Sequence, residues 1–251
     1  MKILVSGLCL SRNLGGPAMG LTLIDELDKR LESQNEYIFC VSSVDFEVEK
    51  EWASRYGLKV VRRGELEAYI THFTLFRYVA RFFKGKKLDY LKNAFNFWQN
   101  TWSEHAKAFK ESDLIINMEG VSYIGDGTRG YWEGINSFSG YFLAKLYKKP
   151  YARFIQSFGP LNRFDVRFFA KIELQNLPFI PARGKESAKD CKELLGEGVS
   201  VFDFPDSAIL LQKEGEQWLE SYLSQKSLEY KNFIILSPSS VVYNIKRSDK
   251  T

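Results

Sequence analysis

The chain has 251 residues, 45% of them hydrophobic and 26% charged, with a net charge of +4. That is a soluble globular composition, long enough to bury one large core or two smaller ones. No apolar run approaches the ~20 residues needed to span a bilayer. Cys9, Cys40 and Cys191 stand far apart without CxxC spacing, which argues against a zinc site or disulfide framework and for reduced thiols in a cytoplasmic protein.

In chain order, short apolar runs predict strands at Lys2–Leu10, Tyr37–Ser43, Lys59–Arg62, Leu114–Met118, Tyr151–Ser157, Phe179–Ala182, Val199–Phe204 and Phe233–Leu236. The first reads as a core strand, not a signal peptide, because a glycine-rich loop follows it in place of a cleavage site. Helical patterns run over Pro17–Leu31, Ile135–Tyr147, Arg163–Leu177 and Lys185–Leu195, the last closed by Gly196 as a C-cap. Strand and helix in alternation mean parallel strands with right-handed crossovers. The fold class is therefore α/β, a doubly wound, mostly parallel, Rossmann-like sheet. Gly215–Ser224 reads as a helix and Gln225–Lys231 as a polar connector. We expect one domain over 1–224, and the connector plus the first strand of a second α/β domain over 225–251; the plainer alternative is that this last strand joins an edge of the first sheet.

The candidate chemistry lies at strand ends, where open α/β sheets keep their ligands. After the first strand come Asn13, Gly15, Gly16 and Pro17. This loop suits either backbone contact with an anion or sugar hydroxyl or a plain tight turn, and it fits neither GxGxxG nor a P-loop. Glu119-Gly120 ends the fourth strand, and Asp126 follows between glycines. Either carboxylate can serve as a general base, or as an ordinary turn residue. Ser157 and Gly159 close the strand at Tyr151–Ser157, with no GxSxG elbow or histidine for a serine hydrolase. Arg183 offers a planar fork for carboxylate or phosphate, with Ser187 four residues on; a surface ion pair is the plainer reading. Asp206 either caps the next turn or closes the site. His72 and His105 have no metal-ligand spacing, and no metal site is expected.

Between Tyr69 and Trp102, six basic residues (Arg77, Arg81, Lys84, Lys86, Lys87, Lys92) face only Asp89. This segment reads as a helix packed on the sheet with a solvated basic edge, or as an amphipathic helix on an anionic membrane face. It carries no nucleic-acid motif, and no nucleic-acid partner is expected.

Taken in order, Asn13-x-Gly15…Ala18, Asp113-x-Ile115-Ile116…Glu119-Gly120…Asp126, Ser157-x-Gly159-Pro160, Arg183…Ser187 and Pro205-Asp206 resemble the polysaccharide pyruvyl transferase family, from Lys2 to about Ser240. The resemblance implies a two-domain fold of the GT-B glycosyltransferase type. It also implies transfer of a pyruvyl group from phosphoenolpyruvate to two sugar hydroxyls as a cyclic ketal, in cell-surface polysaccharide biosynthesis. By it, Arg183 binds the donor anion, and Asn13, Glu119 and Asp126 line the sugar side. Gly15, Gly16, Gly120, Ser157, Gly159, Ser187 and Asp206 would be further substrate-binding residues. The partners would be phosphoenolpyruvate and a sugar or lipid-linked glycan, without metal or cofactor, in the cytoplasm or at the inner face of the membrane.

The chain departs from the family in having Glu119-Gly120 where a Gly-Gly pair is usual. It also stops at Thr251, before the second-domain histidine and basic residues of the family, so the expectation is half a cleft without unassisted turnover. Competing readings are a GT-B glycosyltransferase using a nucleotide sugar, a non-catalytic glycan-binding or assembly module, and a peripheral membrane protein.

Overall fold

A computed structural model describes residues 1–11, 15–31, 34–41, 45–64, 104–127, 133–211 and 224–225. Met1–Leu211 form one compact unit and Gln212–Thr251 another. The expected strand Phe233–Leu236, the segment Tyr69–Trp102 and Asn13 lie outside the described residues, as do the expected helix Gly215–Ser224 and connector Gln225–Lys231 apart from residues 224–225.

Five parallel strands form the central sheet in the order β3-β2-β1-β4-β6. They are β1 (Lys2–Ser6), β2 (Glu36–Val41), β3 (Lys59–Arg62), β4 (Leu114–Asn117) and, after a two-residue β5 (Val121–Ser122), β6 (Tyr151–Arg153). β1 lies central, with Ile3, Leu4 and Val5 fully buried, and pairs Leu4 with Ile38 on one side and Ile115 on the other. Both faces are covered, as the uncharged strands require. Ile3, Val5 and Phe39 pack on one face with Met19 and Leu23 of α1 (Gly15–Arg30) and Ala53 of α2 (Phe46–Arg55). Leu4, Ile38 and Ile115 pack on the other with Ala108 and Phe109 of a helical stretch at 104–111 and with Leu143 and Ala144 of α3 (Glu133–Leu146). The doubly wound α/β fold is thus in place.

α1 begins two residues before the expected start. Pro17 therefore sits inside the first turn, where its missing N–H has no helical partner to lose. The single strand expected over Tyr151–Ser157 is broken. Its first part pairs with β4, whereas the Gln156 backbone turns to Pro181 and Arg183. β7 (Ser157–Phe158) then pairs with β5. Through Gln156↔Ala182 the chain reaches a parallel pair, β8 (Ile180–Arg183) and β9 (Val201–Phe204). Around them α4 (Phe164–Leu174) and α5 (Lys185–Leu195) close a second core of Phe158, Val166, Ala170, Ile180 and Cys191. Gly196 ends α5 with φ 75° and donates to the Lys192 carbonyl, the expected cap.

Candidate active site

Strand order reverses between β1 and β4, and the ends of these strands meet closely. Gly7 turns the chain with φ 88°, and a Cβ there would lie 2.3 Å from Cγ of Glu119. The Glu119 backbone is held by Asn117 Oδ1 at 3.1 Å. Its nearly buried carboxylate accepts from Ser122 Oγ at 2.8 Å and from Arg63 Nη2 at 3.3 Å. Arg63 follows β3 and also donates to the Asn136 carbonyl. It was not among the residues singled out in the sequence.

Arg183, at the end of β8, ties the neighbouring tips together. Nε donates to Ser157 Oγ at 3.0 Å, Nη2 to the Gly120 carbonyl at 2.8 Å, and Nη1 to Asp206 Oδ2 at 2.7 Å. Asp206 has the capping role weighed for it, and it also pairs with Arg183. Its Oδ1 caps the 3-10 turn Ser207–Leu210 through Ala208 N, and its Oδ2 pairs with the guanidinium. A Cβ on Gly120 would meet nothing within 4 Å, so the space beside this tip is open. Glu119, Gly120, Ser157, Arg183 and Asp206 therefore share one rim, at the carboxyl ends where ligands of open sheets bind.

The other candidates do different things in the fold. Ser187 accepts from Phe158 N and donates to Phe158 O, clamping β7. Gly159, with φ 90°, passes so close to α5 that a Cβ would sit 2.4 Å from Asp190 Oδ2. Gly16 presses against the Cys9 carbonyl, where a Cβ would come within 1.9 Å, and Gly15 is exposed at the start of α1. Asp126 is exposed in a bend beside Gly125, whose N–H donates to the Pro160 carbonyl. The turn after β1 holds a carboxylate of its own. Buried Glu49 of α2 accepts from the amides of Leu10 and Ser11 and from Ser11 Oγ at 2.7 Å.

Beneath the rim lies a buried ion pair that the sequence did not disclose. Arg153 of β6 and Glu173 of α4 both have side chains with no exposure. Nε and Nη2 of Arg153 grip the two Glu173 oxygens; Nη1 donates to Ser122 Oγ and Gln156 Oε1, and Nη2 also to the Ser137 carbonyl. All five guanidinium N–H groups are used, as burial of an arginine demands. Tyr123 and Tyr151 donate their hydroxyls to Glu173. Burial first, and the Glu173 charge second for Tyr123, push both phenols well above their usual range, so they stay protonated donors. Burial opposes the Arg153 charge, but the Glu173 carboxylate overrides it and raises the guanidinium well above its ordinary value. Ser122 has one hydrogen and two acceptors in reach, Glu119 Oε2 at 2.8 Å and Gln156 Oε1 at 2.6 Å. It connects this network to Glu119. An arginine and a glutamine inside the apolar run YARFIQSF were the available signal.

The rim and its support contain Arg63, Arg153 and Arg183 against Glu119, Glu173 and Asp206. Its formal charge is balanced. Arg183 keeps one Nη2 N–H without a partner among the described residues, so it can add a bond to an anion without giving up those it has. Among the described residues no three His, Cys, Asp or Glu side chains converge as a metal-binding group.

The sequence profile of the polysaccharide pyruvyl transferase family matches residues 55–250. The chain belongs to this family. Membership makes the protein a transferase and points to pyruvyl transfer as the activity. The match takes in Glu119, Asp126, Ser157, Arg183 and Asp206. It leaves out β1, α1 and the loop with Asn13, Gly15 and Gly16, so it is shorter than the resemblance read from Lys2 onward. No curated protein matches the chain. Among the described residues, no helix of this family member is long and apolar enough to cross a membrane.

Proposed function

We propose that the protein moves the pyruvyl group of phosphoenolpyruvate onto two hydroxyls of a sugar in a cell-surface polysaccharide precursor. In balance, the ketal carbon forms two C–O bonds to the sugar oxygens and loses its C–O bond to phosphate; of the two hydroxyl protons, one ends on the former methylene carbon, which becomes a methyl group, and the other leaves with inorganic phosphate. The family match carries this reading. The rim supports it with chemistry of the needed kind. Arg183 presents a fixed guanidinium and a spare N–H to the carboxylate or phosphate of the donor. Glu119 supplies a carboxylate held by Ser122 and Arg63, one residue before the open tip at Gly120, to take a proton from the attacking hydroxyl. Asp126 and Asn13 belong on the sugar side in this proposal. In it, residues 1–224 are the acceptor half of a GT-B arrangement, and the remaining cations for a donor with both a carboxylate and a phosphate come from outside the described residues.

In the turn after β1, Glu49 occupies the Leu10 and Ser11 amides, so those two amides are closed to a ligand anion. The test is calorimetric titration of the chain with phosphoenolpyruvate and, separately, with nucleoside diphosphate sugars. It is followed by phosphate release in the presence of candidate glycans. Saturable binding of phosphoenolpyruvate, weakened by Arg183→Ala, is expected; binding of nucleotide sugars alone would overturn the proposal.

A further inference from the structure

A continuous aromatic ribbon crosses the outer surface of α3 and α4. Ring centroids step from Phe164 to Phe168 (6.2 Å), Phe169 (5.3 Å), Phe138 (5.2 Å) and Phe142 (6.4 Å). The inner members, Phe138 and Phe169, pack on the second core. The outer members do not: Phe164 is 82% exposed, Leu146 59%, Phe168 50% and Phe142 43%. Side chains of this size, contiguous and open to water, mark a surface that is normally covered. Helical spacing puts Phe164, Phe168 and Lys171 on one stripe of α4, and Phe142, Lys145 and Leu146 on one stripe of α3.

The exposed charges around the ribbon are mainly positive: Lys145, Lys148, Arg167 and Lys171 are all exposed. Of the nearby carboxylates, Asp165 pairs with Arg163 at 2.6 Å and Glu173 with Arg153 in the interior, while Glu133, in the first turn of α3, accepts from Ser137 Oγ at 3.3 Å, so four exposed cations outweigh one carboxylate. Phenylalanines that can enter the headgroup boundary, fringed by an excess of lysine and arginine, complement an anionic phospholipid surface. A protein partner would meet the same aromatics but would need its own acidic counterpart.

We propose that the α3–α4 face docks the protein on anionic membranes through Phe164, Phe168, Phe142 and Leu146, with Lys145, Lys148, Arg167 and Lys171 on lipid phosphates. The proposal goes beyond the transfer reaction and stands whether or not that reaction is found. A transferase acting on a lipid-linked acceptor would be served by such a face.

The test is co-sedimentation of the full chain with vesicles of phosphatidylcholine alone and with added phosphatidylglycerol. Binding to the mixed vesicles only, falling as salt rises, is expected. Phe164→Ser with Phe168→Ser, and separately Arg167→Glu with Lys171→Glu, should each lower partitioning about tenfold or more. Circular dichroism should show both pairs still folded at the assay temperature, since Phe164 and Lys171 are exposed and the changes give up only the half-exposed ring of Phe168 and one Arg167 bond to the Leu161 carbonyl. Equal binding to both vesicle types, or partitioning unaffected by either pair, overturns the proposal. So does binding that survives both pairs but is lost with Arg77→Glu and Arg81→Glu, because the contact would then lie in the Tyr69–Trp102 segment. A third overturning result is concentration-dependent self-association in ultracentrifugation, abolished by the phenylalanine pair, with no vesicle binding; the face would then pair two copies of the chain.

Discussion

At Gly7 the backbone turns with φ 88° and leaves just enough room for Glu119 to pass over it. Alanine there would meet Glu119 Cγ and force an unfavourable backbone conformation as well. Gly7→Ala should cost about 1–3 kcal/mol of stability in urea unfolding, and should displace the carboxylate of the candidate base. At Arg183 the planar fork matters more than the charge, because its donors reach three different acceptors at once. Lysine cannot span them. Arg183→Lys should therefore weaken phosphoenolpyruvate binding about tenfold or more, the loss of one charge-assisted hydrogen bond, as read by calorimetry. If lysine binds the donor as well as arginine, the fork is not the donor contact and serves only to join the tips of β7, β8 and the Gly120 turn.

Among the elements, β6 and α4 are held together by Arg153 and Glu173, and this pair is where a single substitution should do most harm. Arg153→Met leaves a buried carboxylate without its counter-ion and should destabilise the protein by about 3–5 kcal/mol. Adding Glu173→Leu removes the stranded charge, and the double variant should recover much of that loss in the same denaturation experiment. Recovery will be partial, because Tyr123 and Tyr151 then lose the acceptor for their hydroxyls. Equal instability of the single and double variants would show that the network matters for its hydrogen bonds and not for charge balance. The break between β6 and β7 belongs to the same scale. Apolar composition marks a strand over Tyr151–Ser157, but the partner changes within it from β4 to β8, and a run of hydrophobic residues carries no record of which neighbour it will pair with.

For the whole molecule, acid should be the most revealing stress. His105 lies buried on the helical stretch at 104–111, edge-on to Phe109 at 5.0 Å. Burial first, and then the Arg63 charge, lower it from 6.5 to about 3. The unfolded chain thus takes up a proton near pH 6.5 that the folded chain refuses until about pH 3. Stability should therefore be full above that upper value and fall as the pH drops through this window, by up to about 1.4 kcal/mol per pH unit. His105→Leu should flatten the slope of unfolding free energy between these limits; an unchanged slope would mean that other groups set the acid limit.

The sequence by itself determined the alternation of elements, and with it a parallel, doubly covered sheet. It placed Lys59–Arg62 and Lys185–Leu195 at their observed bounds, because apolar periodicity and glycine or proline stops are local signals. It also picked out Glu119, Gly120, Ser157, Arg183 and Asp206, since polar residues and glycines at the ends of apolar runs stand out against their surroundings. Only the tertiary structure decided what those residues touch. Arg63 meets Glu119 across 56 positions of sequence, Glu49 fills the turn at Leu10 from 39 positions away, and Arg153 finds Glu173 on a later helix. Such pairs bring charges together in a low-dielectric interior, and their partners are chosen by packing at long range, which leaves no periodic or nearest-neighbour trace in the chain.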